Sequence, residues 1–381
     1  MKGTGLPFEI ETFVRDKFRA FYSENGVAPP NRLDAREFGF GIKDKIDYRH
    51  RAFKTEKELK EFMVKEAPLF ASYSTAYYEL PEITPMSKKN WLGADLVFDL
   101  DAASNKQGHE HNPLLCEHCL NAVREDALRL KEEFLQKDFG FKASEITVVF
   151  SGQKGYHLHV KREDVRGLSS DQRKQLLAFV KGPASVEELL SKRKETGLKA
   201  PVLRGPDAKS KGWRGKFYRV ARDFISIAGE EELKQAGLRN PKRQQLLESK
   251  DEALDLLADG NWDFLRGLEV FWERLFQERL SVKALQVDAA VTFDTARLIR
   301  LPGSLHGGTG FVAKIVEKIA EFEPWNEAIA FEGNDVIKVV ADNDYAFDLA
   351  GESFKVEKEK PVELKQAAAL FLLCKGKARL A

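Results

Sequence analysis

The pattern of hydrophobic and polar positions predicts helices in several parts of the chain. Residues 8–24 and 55–66 carry apolar side chains at three- and four-residue spacing, which indicates two amphipathic helices. A longer helix is predicted from about residue 119 to 138, with Gly140 ending it. Ser169 and Ser185 are each followed three residues later by Gln or Glu, the spacing of a capping box, so helices should also begin there.

Strand character is found on both sides of a charged, helical stretch. Residues 94–101 form a β-rich run, 145–160 indicate a strand, a glycine turn and a strand, and strand character returns at 286–301 and 335–357. We therefore predict an α/β fold in which helices flank a mixed sheet. The expected organisation is one catalytic domain, 1–183 with 271–381, interrupted by a helical insertion at 184–270.

Composition narrows the function classes. The 381 residues are 43% hydrophobic and 32% charged, enough apolar material for a sizeable core. Lys+Arg 61 against Asp+Glu 60 leaves a formal charge of +1, so nucleic-acid contacts must come from local basic patches. The chain starts without the apolar core of a signal peptide and contains no apolar run of membrane-spanning length, which predicts an intracellular, cytoplasmic protein without membrane contact.

Two aspartates in the run ADLVFDLD are the first candidates for chemistry. Side chains alternate in a strand, so Leu96, Phe98 and Leu100 share an apolar face, while Asp99 and Asp101 share the other. At that spacing, about 7 Å along the backbone, both carboxylates can reach one pair of Mg²⁺ or Mn²⁺ ions, the usual device for nucleotidyl transfer. The alternative is a solvated strand face or a turn.

Histidines accompany two further motifs. Ser151-Gly-Gln-Lys-Gly-Tyr-His157 combines two glycines with Lys154 and His157, which suits a cradle for a triphosphate; an ordinary hairpin with a basic tip is the alternative. The segment 288–306 offers Asp288, Asp294, Arg297, Arg300 and His306. Arginines beside acidic residues suit a metal-bound triphosphate, although they could also form surface ion pairs.

A third group of residues has the spacing of a structural zinc site. His109, His111, Cys116 and Cys119 supply four ligands of the kind that Zn²⁺ binds tetrahedrally, and His118 could compete for one position. The alternative is two solvated histidines and two thiols. Cys374, in an apolar C-terminal helix, should be a buried core residue.

Residues 209–222 mix six cations with Trp213, Phe217 and Tyr218. This stretch could follow a single-stranded template by phosphate neutralisation and base stacking. A helix with its aromatic side chains in the core is the simpler interpretation, and the spacing does not separate the two.

Three motifs in order give a specific resemblance. Phe98–Asp101, Ser151–His157 and Arg297–His306 resemble the motifs of the archaeo-eukaryotic DNA primase family, with the archaeal small, catalytic subunit as the closest match. Arg36–Phe40 with Arg49, and Tyr73–Glu79, resemble its N-terminal signatures. The resemblance implies a primase-type catalytic domain that includes a zinc knuckle at 105–120.

The resemblance also implies roles for individual residues. Asp99, Asp101 and Asp288 match the metal-binding and catalytic carboxylates. The positions that match nucleotide-binding residues are Ser151, Lys154, His157, Arg300, His306, Arg49 and Glu37. Three positions depart from the family: Gln153 and Lys154 stand where one or two arginines are usual, which removes bidentate phosphate contact, and His159 replaces a common aromatic residue.

The implied function is the synthesis of short primers on a single-stranded DNA template during replication, from NTPs or dNTPs, with the enzyme associated with the nucleoid. The implied partner is a large primase subunit bearing the iron–sulfur cluster, which three cysteines cannot hold by an all-Cys ligand set. One alternative is a primase-polymerase of a mobile element or repair system that mainly extends primers with dNTPs. Another is a non-catalytic module that binds single-stranded nucleic acid.

Overall fold

The computed structural model describes residues 5–102, 112, 114–194, 197, 200–285 and 287–381, and these form a mixed α/β structure, as the sequence predicts. The chain divides into two units, Met1–Lys174 with Val287–Ala381, and Gln175–Gln286. The larger unit contains most of the strands.

The helices range from a single turn to almost five turns. In chain order they are α1 (Phe8–Glu24), α2 (Glu56–Glu66), α3 (Glu117–Arg129), α4 (Ser170–Lys181), α5 (Gly212–Ile227), α6 (Glu230–Gln235), α7 (Lys242–Glu248), α8 (Lys250–Ala258), α9 (Glu269–Leu275), α10 (Ala289–Phe293), α11 (Pro324–Glu327) and α12 (Gln366–Cys374). Helix α3 continues as a π-helix over Leu130–Asp138, and α9 as one over Phe276–Leu280.

The strands are short and, among the described residues, form several separate sheets in which every pairing is antiparallel. The α/β class is confirmed, but the prediction of one mixed sheet is wrong, because short strands joined by hairpins and loops pair locally and antiparallel. In chain order they are β1 (Phe38–Gly41), β2 (Tyr48–Arg51), β3 (Phe70–Ser74), β4 (Ala76–Tyr78), β5 (Trp91–Ala94), β6 (Leu96–Asp101), β7 (Ile146–Phe150), β8 (Gly155–Val160), β9 (Ser191–Arg193), β10 (Val202–Arg204), β11 (Leu298–Arg300), β12 (Ile315–Val316), β13 (Val336–Ala341), β14 (Tyr345–Leu349), β15 (Glu352–Val356), β16 (Pro361–Lys365) and β17 (Ala378–Leu380).

The predicted N-terminal helices are confirmed. Helix α1 buries its apolar stripe, which includes Val14 and Phe18, and follows the three- and four-residue spacing of the sequence. Helix α2 begins after Thr55, whose side-chain oxygen accepts a hydrogen bond from the N–H of Glu58 at 3.2 Å. This bond satisfies one of the backbone donors that every helix leaves unpaired at its start.

Two four-stranded sheets in the larger unit carry most of the candidate site. One has the strand order β12-β7-β8-β6 and the other β11-β3-β1-β2. In β6, Leu96, Phe98 and Leu100 are fully buried, as the alternation predicts, while Asp99 lies opposite His157 of β8. In the second sheet, β11 brings Arg300 opposite Ser72 of β3.

The C-terminal part of the larger unit is built from hairpins and one buried helix. The strands predicted over 335–357 are present as β13, β14 and β15, and β13 pairs with both β16 and β17. Helix α12 is buried along almost its entire length, and Cys374, its last residue, is a buried core residue. The prediction for Cys374 is therefore confirmed.

The unit Gln175–Gln286 is mainly helical. Its core contains Trp262, whose ring stacks on Phe217 at 4.8 Å between centroids and meets Trp272 edge-on at 4.6 Å. Trp213, Phe217 and Tyr218 of α5 are all buried. The aromatic residues of the basic stretch 209–222 therefore lie on a helix that buries them in the core of this unit. This confirms the simpler interpretation of the stretch, a helix with its aromatic side chains in the core.

One of the two predicted capping boxes does not begin an α-helix. At Ser169 the box is formed, because the N–H of Gln172 donates to the serine hydroxyl and the N–H of Ser169 donates to Gln172 Oε1. At Ser185 only a 3₁₀ turn follows, Val186–Glu188, and the chain then enters β9. The predicted helix start at Ser185 is thus present, but only as one 3₁₀ turn, because the ladder between β9 and β10 engages backbone groups that a continuing helix would need.

The strand predicted over 286–301 is also partly wrong. The Asp288 carboxylate accepts a hydrogen bond from the N–H of Ala290 at 2.9 Å and caps the short helix α10. Only Leu298–Arg300 forms a strand. Local capping by an aspartate overrides the β-rich composition of this segment.

None of the helices that the structure describes has both the length and the apolar character needed to cross a membrane.

Candidate functional site

A cavity of about 510 Å³ in the larger unit gathers acidic and basic side chains from both sheets. Its walls include four carboxylates and four cations, together with serine, glutamine and histidine side chains. The charged residues are Asp99, Asp101, Asp288, Asp294, Lys45, Arg49, Arg297 and Arg300, and the neutral polar ones are Ser72, Ser151, Gln153, His157 and His306.

Strand pairing explains why Asp99, Asp101 and His157 meet. In the β6–β8 register Asp99 faces His157 and Asp101 faces Gly155. A Cβ at position 155 would come within 2.4 Å of both Asp101 Oδ1 and the carbonyl oxygen of Leu100, so only glycine permits this close approach. The His157 Nε2 atom lies 3.5 Å from Asp99 Oδ1.

Asp288 reaches the same cavity by a different route. Its backbone N–H donates a hydrogen bond to the carbonyl oxygen of Asp99 at 2.8 Å, which fixes it beside β6 across a long separation in sequence. One oxygen of its carboxylate is engaged as the cap of α10. The three sequence-predicted carboxylates thus line one cavity.

Asp99 is a largely buried acid with two other carboxylates beside it. Burial is the largest influence on its pKa, and the negative charges of Asp101 and Asp288 add to it, so the pKa of Asp99 is raised to about 8. Lys45 and Arg297 act in the opposite direction. Within the described part of the chain, no group hydrogen-bonds Asp99 Oδ1, which is fully shielded from solvent.

These observations bear on whether a divalent cation fits. An orphaned carboxylate oxygen and a pKa raised by neighbouring acids are both relieved by a cation, so the donor set has the right chemistry for Mg²⁺ or Mn²⁺. Among the described residues, however, no three His, Cys, Asp or Glu side chains are grouped as ligands of a single ion. The cap contact of Asp288 engages one of the oxygens that such a group would use.

The two histidines of the cavity are neutral. Burial, and secondarily the positive charge of Arg300, lowers the pKa of His157 to about 3 and that of His306 well below its usual value. Burial also lowers the pKa of Arg300 to about 10, which leaves its guanidinium charged at neutral pH. The histidines can therefore act as hydrogen-bonding groups beside a charged arginine.

The glycine turn Ser151–Gly155 packs against the loop that carries His306. Ser151 Oγ accepts a hydrogen bond from the N–H of Gly155 at 3.1 Å and closes the turn. Gly152 adopts a φ of +81°, and a Cβ there would lie 2.9 Å from His306 Cβ. The hydroxyl of Thr309 donates to the carbonyl oxygen of Gly152 at 2.5 Å, which joins the two loops.

Two of the sequence-predicted nucleotide-binding residues do not line this cavity. The Lys154 ammonium group donates to the carbonyl oxygen of Ala102 at 3.2 Å. Glu37 is fully buried behind Arg49 and accepts a hydrogen bond from Arg49 Nε at 2.6 Å. Glu37 thus orients a cavity residue, while Ser151, His157, Arg300, His306 and Arg49 all reach the cavity wall.

Lys45 is the cavity cation that the sequence reasoning missed. It lies in the turn between β1 and β2, where the Asp47 carboxylate accepts hydrogen bonds from the N–H groups of Ile42, Lys43 and Asp44. Although burial acts to raise the pKa of Asp47, these donors lower it overall. The signal for this turn was an aspartate closing the run Gly41–Asp47, but nothing in that run indicates where Lys45 points.

The predicted zinc ligands fall only partly within the described residues. His109 and His111 lie outside them. Cys116 is the N-cap residue of α3, and Cys119 is buried in its first turn, with His118 between them. The four-ligand zinc site therefore stays a prediction, of which the described residues contain only the cysteine half.

Comparison with known proteins gives a consistent result along almost the entire chain. The family model described as DNA primase small subunit matches residues 98–317. The DNA primase small subunit PriS of Methanothrix thermoacetophila is 32% identical, over 98% of this chain and 99% of the relative. PriS of Methanocella arvoryzae is also 32% identical, over 97% and 98%, and PriS of Haloarcula marismortui is 30% identical, over 96% and 97%.

Proposed function

Since this chain belongs to the DNA primase small subunit family, we propose that it is the catalytic subunit that makes short primers on a DNA template during replication. The reaction class is nucleotidyl transfer, in which a 3′-hydroxyl attacks the α-phosphorus of a nucleoside triphosphate and pyrophosphate leaves. The observation that carries the proposal is the meeting of Asp99, Asp101 and Asp288 with four cations in one cavity.

Asp99, Asp101 and Asp288 would hold two Mg²⁺ or Mn²⁺ ions. The orphaned Asp99 oxygen and the raised pKa of this residue support a cation at this position. Bound ions of this kind lower the pKa of an attacking hydroxyl and neutralise charge on a triphosphate. We propose that Asp288 exchanges its cap contact with Ala290 for a cation when the site is loaded.

The cations of the cavity would bind the triphosphate. Arg300 and Arg49 supply fixed guanidinium groups, and Glu37 keeps Arg49 in place through the 2.6 Å hydrogen bond. His157 and His306 would donate hydrogen bonds to phosphate oxygens in their neutral form. Ser151 would act through the turn that it closes, and Lys154 would reach the phosphates only by leaving the Ala102 carbonyl.

Joining two free nucleotides makes this anchoring more important than in an elongating polymerase. An initiating enzyme cannot use a primer duplex to hold the reacting groups, so the triphosphate contacts must supply the orientation. Tight binding of nucleotides in the absence of a primer is therefore an expected property of the site.

A structural Zn²⁺ is proposed at His109, His111, Cys116 and Cys119. The position of Cys116 and Cys119 at the first turn of α3 supports a shared ligand pair, because both belong to the same helix terminus. A closed site of four protein ligands would have a structural role only. Metal analysis of the purified protein should give one equivalent of zinc, lost in the variant Cys116→Ser.

The partners that follow from the proposal are a large primase subunit, a single-stranded DNA template, and NTPs or dNTPs. The iron–sulfur cluster is assigned to the large subunit. The protein would act inside the cell in association with the nucleoid. The helical insertion predicted at 184–270 is proposed to be represented by the unit Gln175–Gln286.

The double variant Asp99→Ala with Asp101→Ala tests the assignment. It should abolish primer synthesis on an unprimed single-stranded template while the protein stays folded. The control is Asp171→Ala with Asp251→Ala, which removes two exposed aspartates and should leave synthesis unchanged. Retained synthesis in the first variant would reject the proposal, and comparison of unprimed with primed templates separates a primase from a primer-extending polymerase.

A further inference from the structure

A second cavity, of about 700 Å³, lies in the unit Gln175–Gln286 and is lined by cations without acids. Five of its lining residues are basic, and none of its described lining residues is Asp or Glu. The basic residues are Lys234, Arg239, Lys242, Arg243 and Arg274, and the others are Gly237, Leu238, Asn240, Pro241, Gly267, Val270 and Phe271. We call it the cationic cavity.

Backbone carbonyls hold two of these cations in place. Lys242 Nζ donates to the carbonyl oxygens of Arg266 and Gly267, the latter at 3.1 Å. Arg274 Nη1 donates to the carbonyl oxygen of Gln235 at 3.2 Å, and its side chain runs across Gly237, where a Cβ would lie 3.1 Å from the guanidinium. Because carbonyl groups are neutral, these hydrogen bonds do not offset the two positive charges; the Glu269 carboxylate, which does not line the cavity, lies near Lys242 and offsets part of its charge.

Two other cations have glutamate partners that do not line the cavity. Arg243 pairs with Glu230 at 3.2 Å and Lys234 with Glu231 at 3.1 Å, and both glutamate side chains are about two-thirds exposed (65%). The pair of Lys234 is exposed on both sides and is therefore weak and screened by salt, whereas Arg243 is 13% exposed and only its glutamate partner faces solvent. The concentration of like charge in one concave surface is therefore only partly compensated.

We propose that the cationic cavity binds the phosphodiester backbone of single-stranded nucleic acid. Its cations fit phosphate groups, and Val270, which is 66% exposed at the wall, offers an apolar contact for a sugar or base. A free nucleoside triphosphate normally arrives with Mg²⁺, which carboxylates help to hold, and the described lining residues provide none. The identity of the polyanion as nucleic acid rests on the proposed function.

The test uses the full chain and a fluorescently labelled single-stranded DNA oligonucleotide in EDTA, over a range of salt concentrations. Without divalent metal, the first cavity, which contains Asp99, Asp101 and Asp288, contributes no metal-dependent nucleotide binding. The variant is Arg239→Glu with Arg274→Glu. Its control is Lys181→Glu with Lys194→Glu, which makes the same charge change at exposed positions of the same unit that do not line the cavity.

The expected result is a loss of about tenfold in affinity for the cavity variant. Losing two phosphate contacts should also reduce the slope of log K against log salt by about 1.4, at roughly 0.7 per contact for single strands. The control should lose less than about twofold. The milder variant Arg239→Gln with Arg274→Gln should show the same trend, and thermal melting checks that each variant is folded.

Three outcomes would overturn the inference. In the first, the cavity variant has the same affinity and salt slope as the unmodified chain. The cationic cavity would then not bind nucleic acid, and an acidic protein would be the remaining partner. In the second, the control variant loses as much affinity for the oligonucleotide as the cavity variant. The binding would then depend on the overall positive charge of the unit and not on the cavity. The third is loss of inorganic tripolyphosphate binding with DNA binding retained, which would indicate a site for free triphosphate.

Failure of this inference can be distinguished from failure of the proposed function. Asp99→Ala with Asp101→Ala should retain DNA binding in EDTA, because that binding does not need the metal site. If that variant still makes primers while the cavity variant loses DNA binding, the cationic cavity stands and the catalytic assignment fails.

Discussion

An aspartate lies near each end of strand β6, and the two differ in how far the protein satisfies their carboxylates. Asp95, just before the strand, accepts hydrogen bonds from Arg36 Nη2 at 2.6 Å and from the Tyr77 hydroxyl at 2.7 Å. Asp99, near the other end, has an oxygen that no described group hydrogen-bonds. One carboxylate is satisfied by the protein, and the other has an oxygen without a described hydrogen-bond donor at the position where we propose a cation.

This difference separates a charge with a structural role from one for which we propose a catalytic role. The Arg36 guanidinium lies 3.6 Å from the centre of the Tyr77 ring and also donates to backbone carbonyls of Ser74 and Thr75. Arg173 donates to the carbonyls of Ala94 and Asp95 at 2.8 and 2.9 Å. These contacts fix the start of the strand that presents Asp99 and Asp101, so the satisfied end supports the geometry of the unsatisfied end.

The largest expected effect comes from breaking the satisfied end. Asp95→Ala leaves the fully buried Arg36 without its anion, and removal of one member of a buried ion pair typically destabilises by about 3–5 kcal/mol. Urea denaturation should show a loss of this size in the free energy of unfolding. Asp348→Ala, at an exposed strand position, is the control and should change stability by less than about 1 kcal/mol. A loss of that small size for Asp95→Ala would contradict the structural role.

At the unsatisfied end, the charge of Asp288 can be separated from its capping role. Asparagine caps helices about as well as aspartate, so Asp288→Asn should keep the contact with Ala290 and change stability by less than about 0.5 kcal/mol. Loss of the charge should reduce primer synthesis by about 100-fold to 1,000-fold. Synthesis rates on an unprimed template, together with urea denaturation, check both parts. Asp288→Ala, which removes cap and charge, should be less stable than Asp288→Asn, and equal activity of Asp288→Asn and the unmodified chain would show that this carboxylate is dispensable.

The sequence predicted which residues come together at the cavity better than it predicted the local structure around them. The alternation in β6 and the turn at Ser151–Gly155 follow from local chemistry, and both are present. Asp288 was predicted to belong to the site, but as part of a strand. It instead caps a helix, because a two-residue interaction between a carboxylate and an N–H outweighs the β-rich composition.

What the sequence could not provide depends on contacts between distant segments. Lys45 faces the cavity because its turn is tied to Asp47, and Glu37 acts behind Arg49 because β1 and β2 pair side by side. Neither contact follows from a fixed spacing of residues along the sequence. The same limit explains Ser185, where pairing between β9 and β10 confines the predicted helix to a single 3₁₀ turn.

The pH dependence of stability sharpens the comparison. The pKa of Asp99 is raised in the folded chain to about 8, above the ordinary value of 3.8, so the folded state binds the proton more tightly than the unfolded state. In metal-free protein this contribution to stability is fully present below about pH 4 and is lost as the pH rises toward 8. Asp99→Asn removes this loss of stability. The side chain keeps 16% exposure, so solvent screens part of the effect, and we expect the free energy of unfolding of the variant to exceed that of the unmodified chain by about 2 kcal/mol at pH 8.

Denaturation in EDTA at pH 5 and pH 8 measures this difference. The advantage of Asp99→Asn should be smaller at pH 5, and added Mg²⁺ should reduce it at pH 8 by stabilising only the carboxylate form. An advantage that does not change with pH would mean that burial of Asp99 does not shift its titration.

The smallest expected effect tests the second donor to Asp95. Tyr77→Phe removes the hydroxyl that donates to Oδ1 and leaves the ring under Arg36, so the ion pair persists. A hydrogen bond to a charged group contributes about 1.5–3 kcal/mol, and because Oδ2 stays paired we expect a loss of about 1.5 kcal/mol in urea denaturation. Primer synthesis at saturating nucleotide should stay within about twofold, because the strand position depends on Arg36 and Arg173. A large loss of synthesis with stability unchanged would place Tyr77 in the function of β6 rather than in its support.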